Sequence, residues 1–293
     1  MSSRADTAVH IRSLESGGGG DCLFHSFAAA FEQMIQRDPD AGRHILARAS
    51  LESFTGSSRV VVNMLRDLSA SAVLRWHEEK LLDYVLNRVM NQQLGTFQDS
   101  WNPRELMVRC GFECLLDCET ILSFGPVPDG DPNDAAVRVA RTVARRGGGA
   151  REETIIVVPQ GMTKLVTLRE GVRDELLRGS ARGDGNWHWG DQFDVQNLSD
   201  VFDVGVLMFC ENLQAAGQEC LYNISSEREN YAYWVSLWWR EPTHFRLAEL
   251  SFTPSGQVPD HALHSFDYTC FWSAATLPPL LREQYRRCNR LAN

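Results

Sequence analysis

A cysteine preceded by four glycines is the strongest chemical signal in this chain. Gly17-Gly18-Gly19-Gly20-Asp21-Cys22 runs into Leu23-Phe24-His25-Ser26. From there Phe24, Phe27, Ala28, Phe31, Met34 and Ile35 recur at helical spacing until Asp38-Pro39, a helix-ending pair. Cys22 is therefore expected at the first turn of a helix. There the unpaired N–H groups and the positive end of the helix dipole favour a thiolate. The glycine amides can point at a developing oxyanion. The same ten residues also read as a flexible linker before a buried structural cysteine.

A thiol nucleophile needs a base within hydrogen-bond reach, and that base is usually distant in sequence. The chain has 8 histidines. His25, His44 and His77 fall on predicted helices, where capping or solvated roles are the ordinary reading. His261 and His264 lie in the tail, and His188 sits between Trp187 and Trp189. His244 differs from these. It opens a predicted strand, His244-Phe245-Arg246-Leu247, just after Arg240-Glu241-Pro242. A side chain at the start of a core strand is rigidly placed at a sheet edge.

Positioning these two residues requires a helix for one and a strand for the other. The front of the chain reads as helical: after the Cys22 helix come Ala41 to Phe54, a run from Ser58, its resumption through Leu94, and a helix capped by Asn102 with Pro103 as its first residue. A short helix from Leu115 to Phe124 and another from Ala135 to Arg146 are expected on either side of the turn-rich Gly125–Pro132. Thr154–Val158 and Lys164–Leu168 read as β-rich, with helix from Arg169 to Arg178. Then come the aromatic loop around Trp187-His188-Trp189, a helix from Gln192 to Phe202, a buried strand at Val204–Phe209, strands at Tyr231–Trp239 and Thr243–Leu250, and a terminal helix from about Leu277. A brief strand at His10–Leu14 precedes the glycines. Helices first and strands later predict an α+β fold rather than alternating α/β.

Composition narrows the function. The chain has 293 residues with 43% hydrophobic and 23% charged content, as in an ordinary globular protein. A net charge of −9 argues against nucleic acid as a partner and permits one with a basic surface or tail. No apolar run is long enough for a membrane span, and Met1–Asp6 lacks the apolar stretch of a signal peptide. The 8 cysteines are irregularly spaced and read as reduced thiols in a cytoplasmic protein. Cys110, Cys114 and Cys118 are four apart but lack the paired short spacings of a zinc site, so no metal or other cofactor is expected. Arg138, Arg141, Arg145 and Arg146 read as a solvated face.

Three blocks in order resemble the ovarian-tumour (OTU) family of cysteine proteases. Gly20-Asp21-Cys22-Leu23-Phe24-His25-Ser26 resembles its nucleophile motif. Trp189-Gly190-Asp191, the following helix and Val204–Phe209 resemble its middle motif. Trp234–Trp239 with Thr243-His244-Phe245 resembles its closing motif. The resemblance implies an OTU-like, papain-type fold whose central, mostly antiparallel sheet is flanked by helices. The expected single domain has a core at about 10–56 and 150–250, a helical insert at about 57–149 and a C-terminal extension at 251–293. It also implies a monomeric deubiquitinase that cleaves after the C-terminal glycine of ubiquitin or polyubiquitin, located in the cytoplasm, a host's if the source is viral or an effector. Cys22 would be the nucleophile and His244 the general base. The amides of Gly19, Gly20 and Cys22 would form the oxyanion hole, and Trp187, Trp189 and Gly190 would line the channel for the substrate tail.

Two positions depart from the family pattern. Gly19 stands where the family usually carries Asp, with Asp21 beside Cys22 instead. Arg246 stands two residues after the histidine, where many members carry Asp or Asn, and a cation cannot accept the imidazole N–H. The orienting acid is then Asp21 or an acid of the N-terminal strand region such as Glu15, or is absent. The competing reading is a catalytically inactive ubiquitin-binding module of the same fold. The helical insert reads as a substrate-binding arm or as a stabilising elaboration.

Overall fold

The computed structural model describes residues 7–17, 20–52, 54, 59–93, 102–117, 120–126, 135–144, 150–157, 162–177, 188–210, 221–222, 230–240, 244–254 and 268–292. The chain divides into two compact units. The first comprises the described residues of Met1–Leu68 and Trp189–Asn293; the second comprises those of Ser69–Gly179 together with His188. The class is α+β, with a mixed sheet and helices. Among the described residues no helix is long and apolar enough to cross a membrane.

The first unit is built on one sheet. Its strands are β1 (Thr7–Leu14), β5 (Val204–Cys210), β6 (Leu221–Tyr222), β7 (Tyr233–Arg240), β8 (His244–Pro254) and β9 (Phe271–Ser273), in the order β1-β8-β7-β5-β6 with β9 also on β7. Among the described residues only the β5–β7 pair is parallel; the other pairs are antiparallel. Both faces are covered, and the strand period of two decides which residue goes where. Val204, Val206, Met208, Val235, Leu237, Phe245 and Leu247 face one core with α1 (Cys22–Arg37), α2 (Pro39–Ala49) and α7 (Gln192–Phe202). Their alternates Leu207, Phe209, Trp234, Trp238, Ala248 and Leu250 face a second core, closed by Leu281 and Tyr285 of α8 (Pro279–Ala292).

Helix α1 runs through the first of these cores. Leu23, Phe24, Phe27, Phe31 and Met34 are fully buried, a stripe that recurs every three to four residues. Phe31 meets Phe202 of α7 with ring centroids 4.5 Å apart. Asp38 ends α1 and caps α2, accepting from the amides of Asp40 and Ala41 at 3.0 Å each. Asp191 and Asp194 form a reciprocal capping box at the start of α7.

The second unit holds part of α3 (Arg59–Ala72), α4 (Glu78–Gln93), α5 (Pro103–Arg109), α6 (Met162–Leu176) and an antiparallel three-stranded sheet, β2 (Thr120–Pro126), β3 (Ala135–Ala144) and β4 (Ala150–Val157). The insert is therefore not purely helical. The segments expected as helices at Leu115–Phe124 and Ala135–Arg146 contribute β2 and β3, and the strand expected at Thr154–Val158 pairs with β3 rather than with the core sheet. Lys164–Leu168, expected as β, belongs to α6, because Leu165, Leu168, Val172 and Leu176 are all buried at spacings of three and four. In the C-terminal extension β9 joins the sheet and α8 closes a core.

Candidate active site

The sulfur of Cys22 lies where three segments of the first unit converge. Cys22 is the first residue of α1, and its side chain is 1% exposed. The backbone N–H of Phe245 donates to its Sγ at 3.4 Å. His244, immediately before that amide, opens β8. The helix start and the strand start thus meet at Cys22 and Phe245, with His244, the base expected from sequence, next in the chain.

The third partner is Glu15. The β1–β8 ladder runs to Leu14↔Leu247. One step beyond, the register puts Glu15 opposite Arg246, on the same face of the strand as His244. The contacts follow: His244 Nε2 lies 2.9 Å from Glu15 Oε2, and Arg246 Nε lies 3.0 Å from the same oxygen. A glutamate after the N-terminal strand thus takes the place beside the imidazole, and the arginine that departs from the family pattern holds it there. Partial burial pulls the Glu15 carboxyl up, but the hydrogen bond and charge of His244, the charge of Arg246 and the Gly17 amide outweigh it, and the net shift is down.

Asp21 is placed elsewhere. Its buried carboxylate pairs with the guanidinium of Arg66 on α3, itself fully buried and lying over the Phe24 ring. The acid at the imidazole is Glu15, and the adjacent acid braces the loop ahead of the nucleophile. Sequence reading did not single out Arg66. Its one signal is a charged residue in the apolar phase of α3, beside the buried Val62 and Leu65.

Gly20 is buried with a φ of 92°, a conformation that an L side chain rarely adopts. Its carbonyl accepts from the Gly190 N–H at 3.4 Å. A Cβ on Gly190 would sit 2.8 Å from the Leu23 side chain and 3.2 Å from Phe24, so the Trp189-Gly190-Asp191 block packs directly on the nucleophile helix. Trp189 is half-buried beside it. Gly19 and Trp187 lie outside the described residues, as do Gly18 and Glu241–Thr243 of the expected turn. His188 is buried in the second unit, its Nδ1 3.4 Å from an Arg88 guanidinium nitrogen.

Desolvation dominates the thiol. Burial pushes the Cys22 thiol above its ordinary value and the charge of Glu15 pushes the same way. The amides of Phe245, Leu23 and Cys22 itself oppose them without reversing the shift. The stabilisation of the thiolate expected from the helix start is thus outweighed by burial. Chemically, the site sets a buried thiol beside an amide donor, and next to it an imidazole with a carboxylate on its Nε2.

No family model, no curated protein and no solved structure matches the chain.

Proposed function

We propose that the chain is an OTU-type cysteine hydrolase that cleaves peptide or isopeptide bonds after the C-terminal glycine of ubiquitin. The observation that carries this reading is the Cys22–Phe245–His244–Glu15 arrangement. One residue places its amide on the sulfur, its neighbour is the base, and an acid occupies the far nitrogen of that base. The ordered resemblance of the three motif blocks supplies the substrate class.

In this mechanism Glu15 holds Nε2 of His244, which leaves Nδ1 for the thiol proton. The thiolate attacks the scissile carbonyl carbon. The oxyanion is met by amides at the start of α1, where Gly20 and Cys22 are described. His244 returns its proton to the leaving amine, which departs and leaves a thioester on Cys22. Water, deprotonated by His244, then attacks the thioester and releases the glycine carboxylate. Glu15 stabilises the imidazolium at both stages, and no metal takes part. The substrate tail ends in glycines by the family resemblance, and the half-buried Trp189 stands beside Gly190, which packs on the nucleophile helix.

The second reading, an inactive ubiquitin-binding module of this fold, is favoured by the burial of Cys22 and its raised thiol. Ubiquitin carrying a C-terminal alkyne electrophile separates the two. The enzyme forms one covalent adduct, abolished by Cys22→Ala and greatly slowed by His244→Ala. Retention on immobilised ubiquitin without an adduct supports the module. Neither adduct nor retention overturns both.

A further inference from the structure

We propose that Glu249 is a positioning residue that locks together the three elements carrying the site: β1, which leads to Glu15, α1, which begins with Cys22, and β8, which begins with His244. The inference rests on the proposed Cys22–His244–Glu15 chemistry, not on which substrate that chemistry serves.

Glu249 lies in the middle of β8 and is 2% exposed. One carboxylate oxygen, Oε2, serves Arg12 of β1: it accepts from Nε at 2.6 Å, and Nη2 is 2.5 Å away. The other, Oε1, accepts from Nε2 of Gln33 on α1 at 2.5 Å. Each oxygen thus goes to a different element, and each of those elements carries a different residue of the site. The Gln33 amide is held from its other end too, where its Oε1 accepts from the Cys270 thiol at 3.2 Å. That thiol stays a donor, because burial first and then the charge of Glu249 push it up to about 12.

Register and length make these contacts bear on the site. In the β1–β8 ladder Arg12 stands directly opposite Glu249, a few residues before Glu15. Strand β1 lies at the sheet edge, with β8 as its one neighbour among the described residues. A slip by two residues keeps every side chain on its own face, so the apolar pattern alone resists it weakly. Such a slip would set His10 or Leu14 opposite Glu249 and take Glu15 away from the imidazole. It would also strip a buried carboxylate of its cation, which is strongly unfavourable. On β8, Phe245, Leu247 and Glu249 share the face packed on α1. Helix α1 is bonded to this row at both ends, because Cys22 Sγ takes the Phe245 N–H and Gln33 reaches Glu249. The helix rises about 16 Å between Cys22 and Gln33, and the strand about 14 Å between Phe245 and Glu249. The two therefore run alongside over one span. Apolar contact resists their separation but is non-directional and does little against sliding. The Gln33–Glu249 bond is directional, so it fixes the slide and with it the place of Cys22 against the start of β8.

The test is alkylation of Cys22 by iodoacetamide in the full chain at neutral pH, located by peptide mass spectrometry. A thiol without its base is protonated there, so the parent protein is expected to react about tenfold faster than His244→Ala, or more. Glu249→Gln keeps the shape and removes the charge. It is expected to slow alkylation about tenfold and to lower kcat on a ubiquitin substrate likewise, with KM little changed. A merely structural loss would open a buried thiol and speed alkylation instead. Combined with His244→Ala, Glu249→Gln should slow the reaction no further. Gln33→Met and Arg12→Met remove one link each, and both should slow alkylation in the parent background. In a Glu15→Gln background the effect of Arg12→Met should vanish, since β1 contributes Glu15 alone, while that of Gln33→Met should remain. Should Glu249→Gln fail to fold, these two variants decide the matter. Alkylation of Glu249→Gln at or above the parent rate, further slowing in the absence of His244, or an Arg12→Met effect that survives Glu15→Gln overturns the inference. A parent whose Cys22 reacts no faster than in His244→Ala overturns the site chemistry and this inference with it. The expected alkylation pattern with no ubiquitin adduct overturns the deubiquitinase reading alone.

Discussion

Burial pushes both Cys22 and Glu15 up, and only Glu15 gathers enough positive charge to end below its ordinary value. The linkage signs are therefore opposite. The depressed Glu15 contributes stability above its unfolded value, and this is lost as pH falls through its folded value; the raised Cys22 contributes stability at low and neutral pH, lost as pH rises through its folded value. In the proposed step Cys22 gives its proton to His244, so kcat/KM on a ubiquitin substrate should rise as the Cys22–His244 pair loses its first proton, and in His244→Ala the rising limb should move up to the thiol's own titration. A limb at the same pH in both proteins would overturn the acid–base role of His244. Glu15→Gln separates the two roles of the acid. The amide still accepts from the ring, but the charge that stabilises imidazolium is gone, so kcat should fall roughly tenfold with KM little changed. The thiolate titration of the free protein should move down in the same variant, because Glu15 is among the groups that raise Cys22. A lower midpoint together with a slower enzyme is a combination that simple misfolding does not produce.

Among the elements, the contact between Gly190 and α1 makes the sharpest demand. A methyl there lands on Leu23 Cβ, which is fixed to the helix backbone, and on Leu23 Cδ2. Gly190→Ala should cost about 1–3 kcal/mol and slow turnover, since the displaced turn is the one that begins with Cys22. Asp191→Ala, one residue along, removes the α7 cap and should cost about 1 kcal/mol while leaving turnover per folded molecule unchanged. Chemical denaturation and kcat on the two variants check the pair; equal kinetic losses would mean that Gly190 acts through stability alone. Local pattern had announced this region well. The bounds of α7 and the Asn102 cap of α5 were legible because caps and apolar periods are written in adjacent residues. The errors fell where adjacency does not decide. Ala135–Ala144 has alanine and arginine enough for a helix, and its alternating Val137, Val139 and Val143 become a strand through pairing with β4 and β2. Lys164–Leu168 looks like a strand in a five-residue window and like a helix once Val172 and Leu176 are counted. In the site, Cys22 and His244 were legible as residue types in context. Glu15 became specific only through the β1–β8 register, and Arg66 only through burial, which no spacing rule announces.

For the whole molecule, charge is the property that reaches furthest. The chain carries a net charge of −9, and the acid of the site lies half-exposed at the end of β1. A substrate whose reactive end is a basic tail would be drawn in by this field before any contact forms, and such attraction shows in the association rate more than in the chemistry. Raising salt shortens the screening length from about 10 Å at 0.1 M to a few ångströms near 1 M. The expected result is that kcat/KM on a ubiquitin substrate falls severalfold between low and high salt, while kcat at saturation changes little. A small acyl substrate without charge should show no such fall, which separates steering from a general effect of salt on the fold. Reversing one acidic residue far from the site should lower the salt slope slightly and leave kcat alone. Reversing Glu15 should abolish turnover at every ionic strength, because there the charge bears directly on the ring of the His244 base. A kcat/KM independent of salt for the full ubiquitin substrate would remove electrostatic steering from the account and leave recognition to shape alone.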